Sequence, residues 1–206
     1  AQRAGAGMVR VASPGVNRDP GLPTEAVGIA VPSAGWESAV ADQIDRASAL
    51  VIGPGLGLSA PAGAAIHHLV AGATVPTLVD GDALTALGTA APDVIGQRVD
   101  PGSVVLTPHD GEFARLSGAP PGDDRCAAAR DLAARTGAVV VLKGPTTVVA
   151  AEDCVLFETQ RRTMLKLIGS VEPRVVVLSG LSDPTLVEKI EGQVPEQVPL
   201  LKIAKR

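Results

Sequence analysis

Short runs of β-branched and aliphatic residues alternate with alanine-rich amphipathic stretches along most of this 206-residue chain, and that alternation limits the fold more than any other feature. Strand, helix and strand in succession bury their apolar faces by laying parallel strands side by side under helices, so the pattern predicts an α/β protein with a mostly parallel sheet. The spacing places strands at Met8–Ala12, Ala26–Val31, Ala49–Ile52, Thr77–Val79, Val104–Leu106 and Ala138–Leu142, with Thr147–Ala151 returning as a hairpin partner. Helices are predicted over Glu37–Ala47, Ala60–Ala71 and Asp82–Leu87, and from near Asp110. Another runs from a cap at Asp123 or Asp124 to Thr136, where Gly137 is a natural stop.

Composition removes several functional classes. Net charge is −4 and aromatic residues make up 1% of the chain, so the basic footprint and stacking rings of a nucleic-acid binder are both missing. No apolar run is long enough to cross a bilayer as a helix, so no membrane partner is expected. Ala1–Ala12 has two arginines but no apolar block before a cleavage site, unlike a secretory signal. The chain lacks an initiator Met and enters a strand almost at once, which predicts a true beginning upstream. Cys126 and Cys154 lack metal-ligand spacing and are expected to be reduced, in a cytoplasmic protein.

After Ala151 the chain changes character. Alanine, common until then, recurs only at Ala204, whereas Lys143 is the only lysine of the first 150 residues and four follow it. The break predicts two pieces: 1–151, holding the ligand loops, and 152–206, a divergent segment of mixed α/β character. Within the second piece the pattern gives a helix near Arg161–Ile168, a strand at Arg174–Leu178 and a helix at Pro184–Ile190.

Four loops lie at predicted strand ends, where open α/β sheets hold ligands. Gly53-Pro54-Gly55-Leu56-Gly57 can bring backbone close to a phosphate at the start of a helix, or it can be a tight turn only. In Asp80-Gly81-Asp82 the second acid is expected to cap the short helix, whereas Asp80 ends a buried strand and is a candidate for a ribose or for a magnesium shell. Thr107-Pro108-His109-Asp110-Gly111-Glu112 puts His109 at a helix mouth, where it can reach a polar ligand. Glu112 there can satisfy first-turn amides, a structural task. Lys143-Gly144-Pro145-Thr146-Thr147 sets a compact ammonium beside hydroxyls, suited to phosphate oxygens but also explicable as a snorkelling strand-end lysine. His67 and His68 read as a surface residue and a packed neighbour.

Taken together and in order, these blocks resemble the ADP- or ATP-dependent NAD(P)H-hydrate dehydratases of the ribokinase-like superfamily. The resemblance is carried by Arg3–Val9, ALVIGPGLG at Ala49–Gly57, LVDGDALTAL at Leu78–Leu87, LTPHDGEFARL at Leu106–Leu116 and VVLKGPTTVVA at Val140–Ala150. It implies an incomplete three-layer αβα fold, with helices on both faces of the sheet. It also implies repair of the hydrates NADHX and NADPHX to NADH and NADPH, by phosphorylation of the ring hydroxyl and loss of phosphate, with ADP or ATP and Mg2+. By the same resemblance Gly55, Gly57 and His109 would bind the hydrated dinucleotide, and Lys143, Gly144, Pro145, Thr146 and Thr147 the nucleotide phosphates. The family's Gly-Thr/Ser-Gly-Asp turn, source of its catalytic base, has only a partial echo at Ser179–Asp183, so no catalytic residue is assigned and activity is expected to be impaired or lost. The alternatives are a small-molecule kinase of the same superfamily, a non-catalytic nucleotide-binding or assembly module, and a poorly folded gene remnant. Oligomeric state stays open, a homo-oligomer included.

Overall fold

In the computed structural model, residues 6–16, 21–144, 146–151, 154–159, 176–179 and 200–203 are described, with backbone only at 146 and from 154 onward. The first two strands, β1 (Val9–Ala12) and β2 (Ala26–Ile29), pair in parallel as a small sheet of their own. Helix α1 (Trp36–Ile44) follows, burying Trp36 and Ile44, and ends sooner than the predicted Ala47.

The main sheet grows strand by strand. β3 (Leu50–Ile52), β4 (Thr77–Val79), β5 (Val104–Leu106) and β6 (Val139–Leu142) are parallel neighbours in chain order. Between them run α2 (Ala60–Gly72), α3 (Asp82–Leu87), α4 (Ala91–Ile95), α5 (Asp110–Ser117) and α6 (Arg125–Thr136). These helices pack on one another, α2 against α3 and α4, α3 against α5 and α4 against α6, and share one core with the strands. Alternating strand residues (Ile52, Val79, Val104, Leu106, Val140, Leu142) are buried there with Ile66, Leu69, Leu84, Leu116 and Leu132 from the helices. The residues between them, Leu78, Val105, Val139 and Val141, are apolar too, as in a sheet meant to be covered on both sides.

β7 (Thr146–Ala151) turns back antiparallel on β6, pairing Leu142 with Val148 as expected of a hairpin. β8 (Cys154–Thr159) continues antiparallel, and β9 (Val176–Ser179) and β10 (Leu200–Ile203) extend the sheet in parallel to eight strands. Strands β8 and β10 were not predicted, and β9 starts two residues after the predicted Arg174. The helices predicted at Arg161–Ile168 and Pro184–Ile190, and the residues after Ser179 in the Ser179–Asp183 echo, lie outside the described residues.

Caps fix where the helices begin. Ser59 accepts the amide of Ala62 at the start of α2, and Asp124 that of Ala127 at the start of α6. Gly118 (φ 89°) and Gly137 (φ 68°) close α5 and α6 in the left-handed conformation. Away from the loops, the buried Arg98 donates to the carbonyls of Val70 and Val75 (2.8 and 2.9 Å), locking the end of α2 to the approach of β4. Helix α4 was not predicted, because Pro92 and Gly96 look like loop punctuation. Pro92 stands in the first turn, where a missing amide proton costs nothing.

Candidate functional site

Parallel strands end on one side of the sheet, so the four loops singled out from the sequence emerge side by side. Backbone bonds carry the pairing past the strand ends: Asp80 donates to the carbonyl of Ile52 (3.1 Å), Thr107 to Val79 (3.2 Å) and Lys143 to Pro108 (2.8 Å). Gly53 permits the closest of these approaches, since a Cβ there would stand 1.7 Å from the carbonyl oxygen of Asp80.

At the centre of the group, the Lys143 ammonium lies 2.8 Å from Asp80 Oδ1 and 3.8 Å from Glu112 Oε2. Burial alone would raise the Asp80 carboxyl. Hydrogen bonds with Lys143, Thr107 and the Gly81 backbone, together with the lysine's charge, outweigh that and hold it below its ordinary value. Lys143 is still partly open to solvent, with 41% of its side chain exposed, so an incoming anion can reach it.

His109 and Glu112 form a reciprocal cap on α5. The His109 Nδ1 accepts the amides of Gly111 and Glu112, and Glu112 Oε2 accepts the amide of His109 at 2.8 Å. The structural task foreseen for Glu112 is therefore present, and its side chain is buried to do it. His109 is exposed, with Nε2 3.5 Å from Glu112 Oε1.

Asp82 does not cap α3, contrary to expectation. Gly81 is the N-cap, and the Asp82 carboxylate instead accepts the amide of Gly57 at 2.8 Å. This ties the glycine loop to the loop after β4. Gly55 and Gly57 have φ of 77° and 78° with open space where a side chain would stand, so backbone rather than side chains faces outward there. Beyond this loop lies a cleft of about 580 Å3 whose lining includes Trp36, Leu56, Ser59, Pro61 and the exposed His68. His67 is half-buried, 2.9 Å from the carbonyl of Ala86, and His68 is the exposed one, the reverse of the order read from the sequence.

Sequence reasoning missed Arg125. Its guanidinium donates to the Lys143 carbonyl (2.8 Å) and to Asp110 (2.7 Å), and it fills the space over Gly144. A signal was available, since a cation in the first turn of a helix opposes the helix dipole and must have partners elsewhere. Thr147 is half-buried in β7, Thr146 is described by its backbone alone, and Pro145 lies outside the described residues. Burial pushes the Cys126 thiol up to about 12, so this free cysteine is no nucleophile at neutral pH. Among the described residues no group of three or more His, Cys, Asp or Glu side chains is placed to hold a metal ion. No helix among them is long and apolar enough to cross a membrane.

A family model described as NAD(P)H-hydrate dehydratase matches residues 1–166. The chain belongs to that family. The bifunctional NAD(P)H-hydrate repair enzyme Nnr of Mycobacterium tuberculosis is 53% identical over 105 residues, covering 51% of this chain and 21% of that enzyme. The ADP-dependent (S)-NAD(P)H-hydrate dehydratase of Bacillus subtilis is 35% identical over 126 residues, covering 58% of this chain and 41% of that enzyme. The B. subtilis ADP/ATP-dependent NAD(P)H-hydrate dehydratase co-crystallized with ATP/Mg2+ matches this fold with a TM-score of 0.50 at 31% identity, over 69% of this chain and 49% of the other. A ribokinase-like superfamily protein from Enterococcus faecalis gives the same TM-score at 27% identity, over 62% and 43%. The architecture is thus ribokinase-like, as the sequence implied, and the chain spans well under half the length of these two curated relatives. The family match extends past Ala151, across the point where composition changes.

Proposed function

We propose that this chain takes part in nicotinamide nucleotide repair, binding an adenine nucleotide and a hydrated NADH or NADPH in the loops over β3 to β6. The observation that carries the reading is that Lys143 meets Asp80 and Glu112 from the two neighbouring blocks, while the glycine loop is tied to the Asp80 loop through Gly57 and Asp82. Lys143, with Gly144 to Thr147 beside it, is assigned to the nucleotide phosphates, and Gly55, Gly57 and His109 to the dinucleotide. The open backbone at Gly55 and the adjoining cleft, within the usual size of a small-molecule site, support the second assignment.

A phosphate approaching Lys143 also meets the carboxylates of Asp80 and Glu112. Magnesium is usually held by one or two carboxylates together with phosphate oxygens, so this pair fits a cation that arrives with the nucleotide. When bound, the ion would neutralise phosphate charge. The chain's own residues supply position and electrostatics: Lys143 offers the ammonium, Asp80 aims it, and Glu112 holds His109 at the mouth of α5. The same proposal assigns the ligand loops to residues 1–151 and treats 152–206 as a divergent continuation. Because the Gly-x-Gly-Asp block is absent from the sequence, turnover is expected to be slow or lost while binding persists.

Thermal melting of the purified chain with ADP, ATP and NADPH, each with magnesium, tests this reading. The expected result is saturable stabilisation by adenine nucleotide, about 2.7 kcal/mol at a hundred times Kd, abolished in Lys143→Ala. A cooperative melt that no nucleotide shifts would overturn it. Recovery of NADPH from its hydrate would locate turnover, and phosphorylation of a sugar or pyrimidine alcohol instead would move the chain to the kinases.

A further inference from the structure

The turn after β6 is read as the phosphate-binding turn, yet neither of its first two residues is placed by its own local sequence. Lys143 and Gly144 are held from outside by Arg125, the first residue of α6. One guanidinium nitrogen, Nη2, donates to the Lys143 carbonyl at 2.8 Å, and the other, Nη1, meets Asp110 Oδ1 at 2.7 Å in the first turn of α5. The plane of the group lies over Gly144: a Cβ added there would stand 2.5 Å from Nη2 and 3.0 Å from Cζ. Gly144 has no positive φ, so backbone conformation does not demand a glycine at this position. The arginine does.

Two further facts show that the arrangement is more than a surface ion pair. The Arg125 side chain is 14% exposed, and its Nε is buried with no hydrogen-bond partner. Burying a guanidinium with one donor unsatisfied is costly, and the cost is offset here by two charge-assisted bonds in a fixed fork, a shape that lysine cannot reproduce. The two arms also end in different loops. One holds the turn of Lys143, and the other holds the residue next to His109, whose neighbour Pro108 accepts the Lys143 amide from the opposite side. Lys143 is thereby clamped through its carbonyl by Arg125 and through its amide by Pro108.

We propose that Arg125 is a positioning residue that fixes the Lys143–Gly144 turn against the first turn of α5, joining the nucleotide side of the site to the His109 side. As a statement about binding this rests on the function proposed above; as a statement about the turn it does not.

The test is therefore read first without ligand. Amide hydrogen exchange on the full chain should show the Lys143 amide protected in wild type and exchanging about tenfold faster or more in Arg125→Ala, with the amide of Asp80 unchanged. Arg125→Lys should behave like Arg125→Ala, because one ammonium cannot span both partners. Gly144→Ala should be destabilising in wild type and nearly neutral in the Arg125→Ala background, where the space over residue 144 is vacant. Unchanged Lys143 protection in a folded Arg125→Ala chain, or an equal cost of Gly144→Ala in both backgrounds, overturns the proposal. If Arg125→Ala does not fold, Asp110→Ala at an exposed carboxylate removes one arm only: severalfold faster exchange at Lys143 supports the clamp, and no change sinks it. With ligand, Arg125→Ala should weaken binding of ADP with magnesium about tenfold. A wild-type chain that binds no nucleotide would remove the function proposed above and leave the exchange result to stand alone.

Discussion

The glycine loop at 53–57 and the lysine turn at 143–144 sit at the ends of β3 and β6, and both depend on glycine, but for opposite reasons. In the first, Gly53, Gly55 and Gly57 adopt φ of 138°, 77° and 78°, and the space outside Gly55 and Gly57 is open. In the second, the backbone is ordinary and the space is full, because Arg125 occupies the position a side chain would take. One turn is shaped by its own dihedrals and left bare; the other is shaped by a residue eighteen positions away. The contrast separates two uses of the smallest residue, access for a ligand and access for the protein itself.

Substitutions can break this comparison in graded steps. The largest effect is expected at Gly53, where an alanine Cβ would collide with the Asp80 carbonyl as well as strain the backbone. Gly53→Ala should cost about 3 kcal/mol or more, or prevent folding, in denaturant melts. Gly144→Ala comes next, at about 2 kcal/mol, since it forces a buried guanidinium aside. Gly57→Ala should cost about 1 kcal/mol from its left-handed backbone alone. Asparagine sharpens the distinction, because it tolerates the left-handed region: it should recover much of the loss at 57 and none at 144. Equal responses to asparagine at the two sites would mean that they are glycine for the same reason.

Smaller effects probe the polar ties. Asp82→Ala frees the Gly57 amide and should destabilise by about 1 kcal/mol, with faster exchange at that amide as the local sign. The Asp80–Lys143 pair should appear as a pH dependence. Asp80 is held below its ordinary value of 3.8 in the folded chain, so its ionised form favours folding at neutral pH. That contribution is fully present above the unfolded value and is lost as pH falls through the lower, folded one. Asp80→Asn should lower stability at pH 7 and flatten the loss below pH ~4, measured by denaturant melts across that range. An unaltered acid limb in the variant would show that the pair contributes nothing measurable.

Much of this arrangement was legible in the sequence because it is local. Thr77–Val79, Asp82–Leu87 and Val104–Leu106 have the bounds that periodicity predicted, and a structural task for Glu112 could be read from its place in the first turn of α5, though not the part His109 plays in it. The convergence of the four loops also followed, since parallel strands must end on one side. What could not be read was anything decided by contacts across loops. Asp82 looked like a cap because local spacing allows it, but the Gly57 amide competes for its carboxylate and wins. Arg125 looked like an ordinary helix residue until Gly144 and Asp110 were brought to it. Strand β8 was missed although Val155, Phe157 and Thr159 are strand-favouring residues that alternate along it.

The β6–β7 hairpin has one more consequence, for the order in which the molecule assembles. Every pairing from β3 to β6 must wait for a crossover containing a helix to close, whereas Leu142 and Val148 meet across a short turn. Loop closure is cheaper and faster over short separations, so the strands that carry Lys143 should form ahead of the sheet they join. The site's lysine would then act as an early landmark on which later strands align, with Asp80 arriving as its counter-charge when β4 docks. Pulse-labelled exchange during refolding should find Val141 and Val149 protected before Val79, and the reverse order would mean that the sheet nucleates at its β3–β4 end.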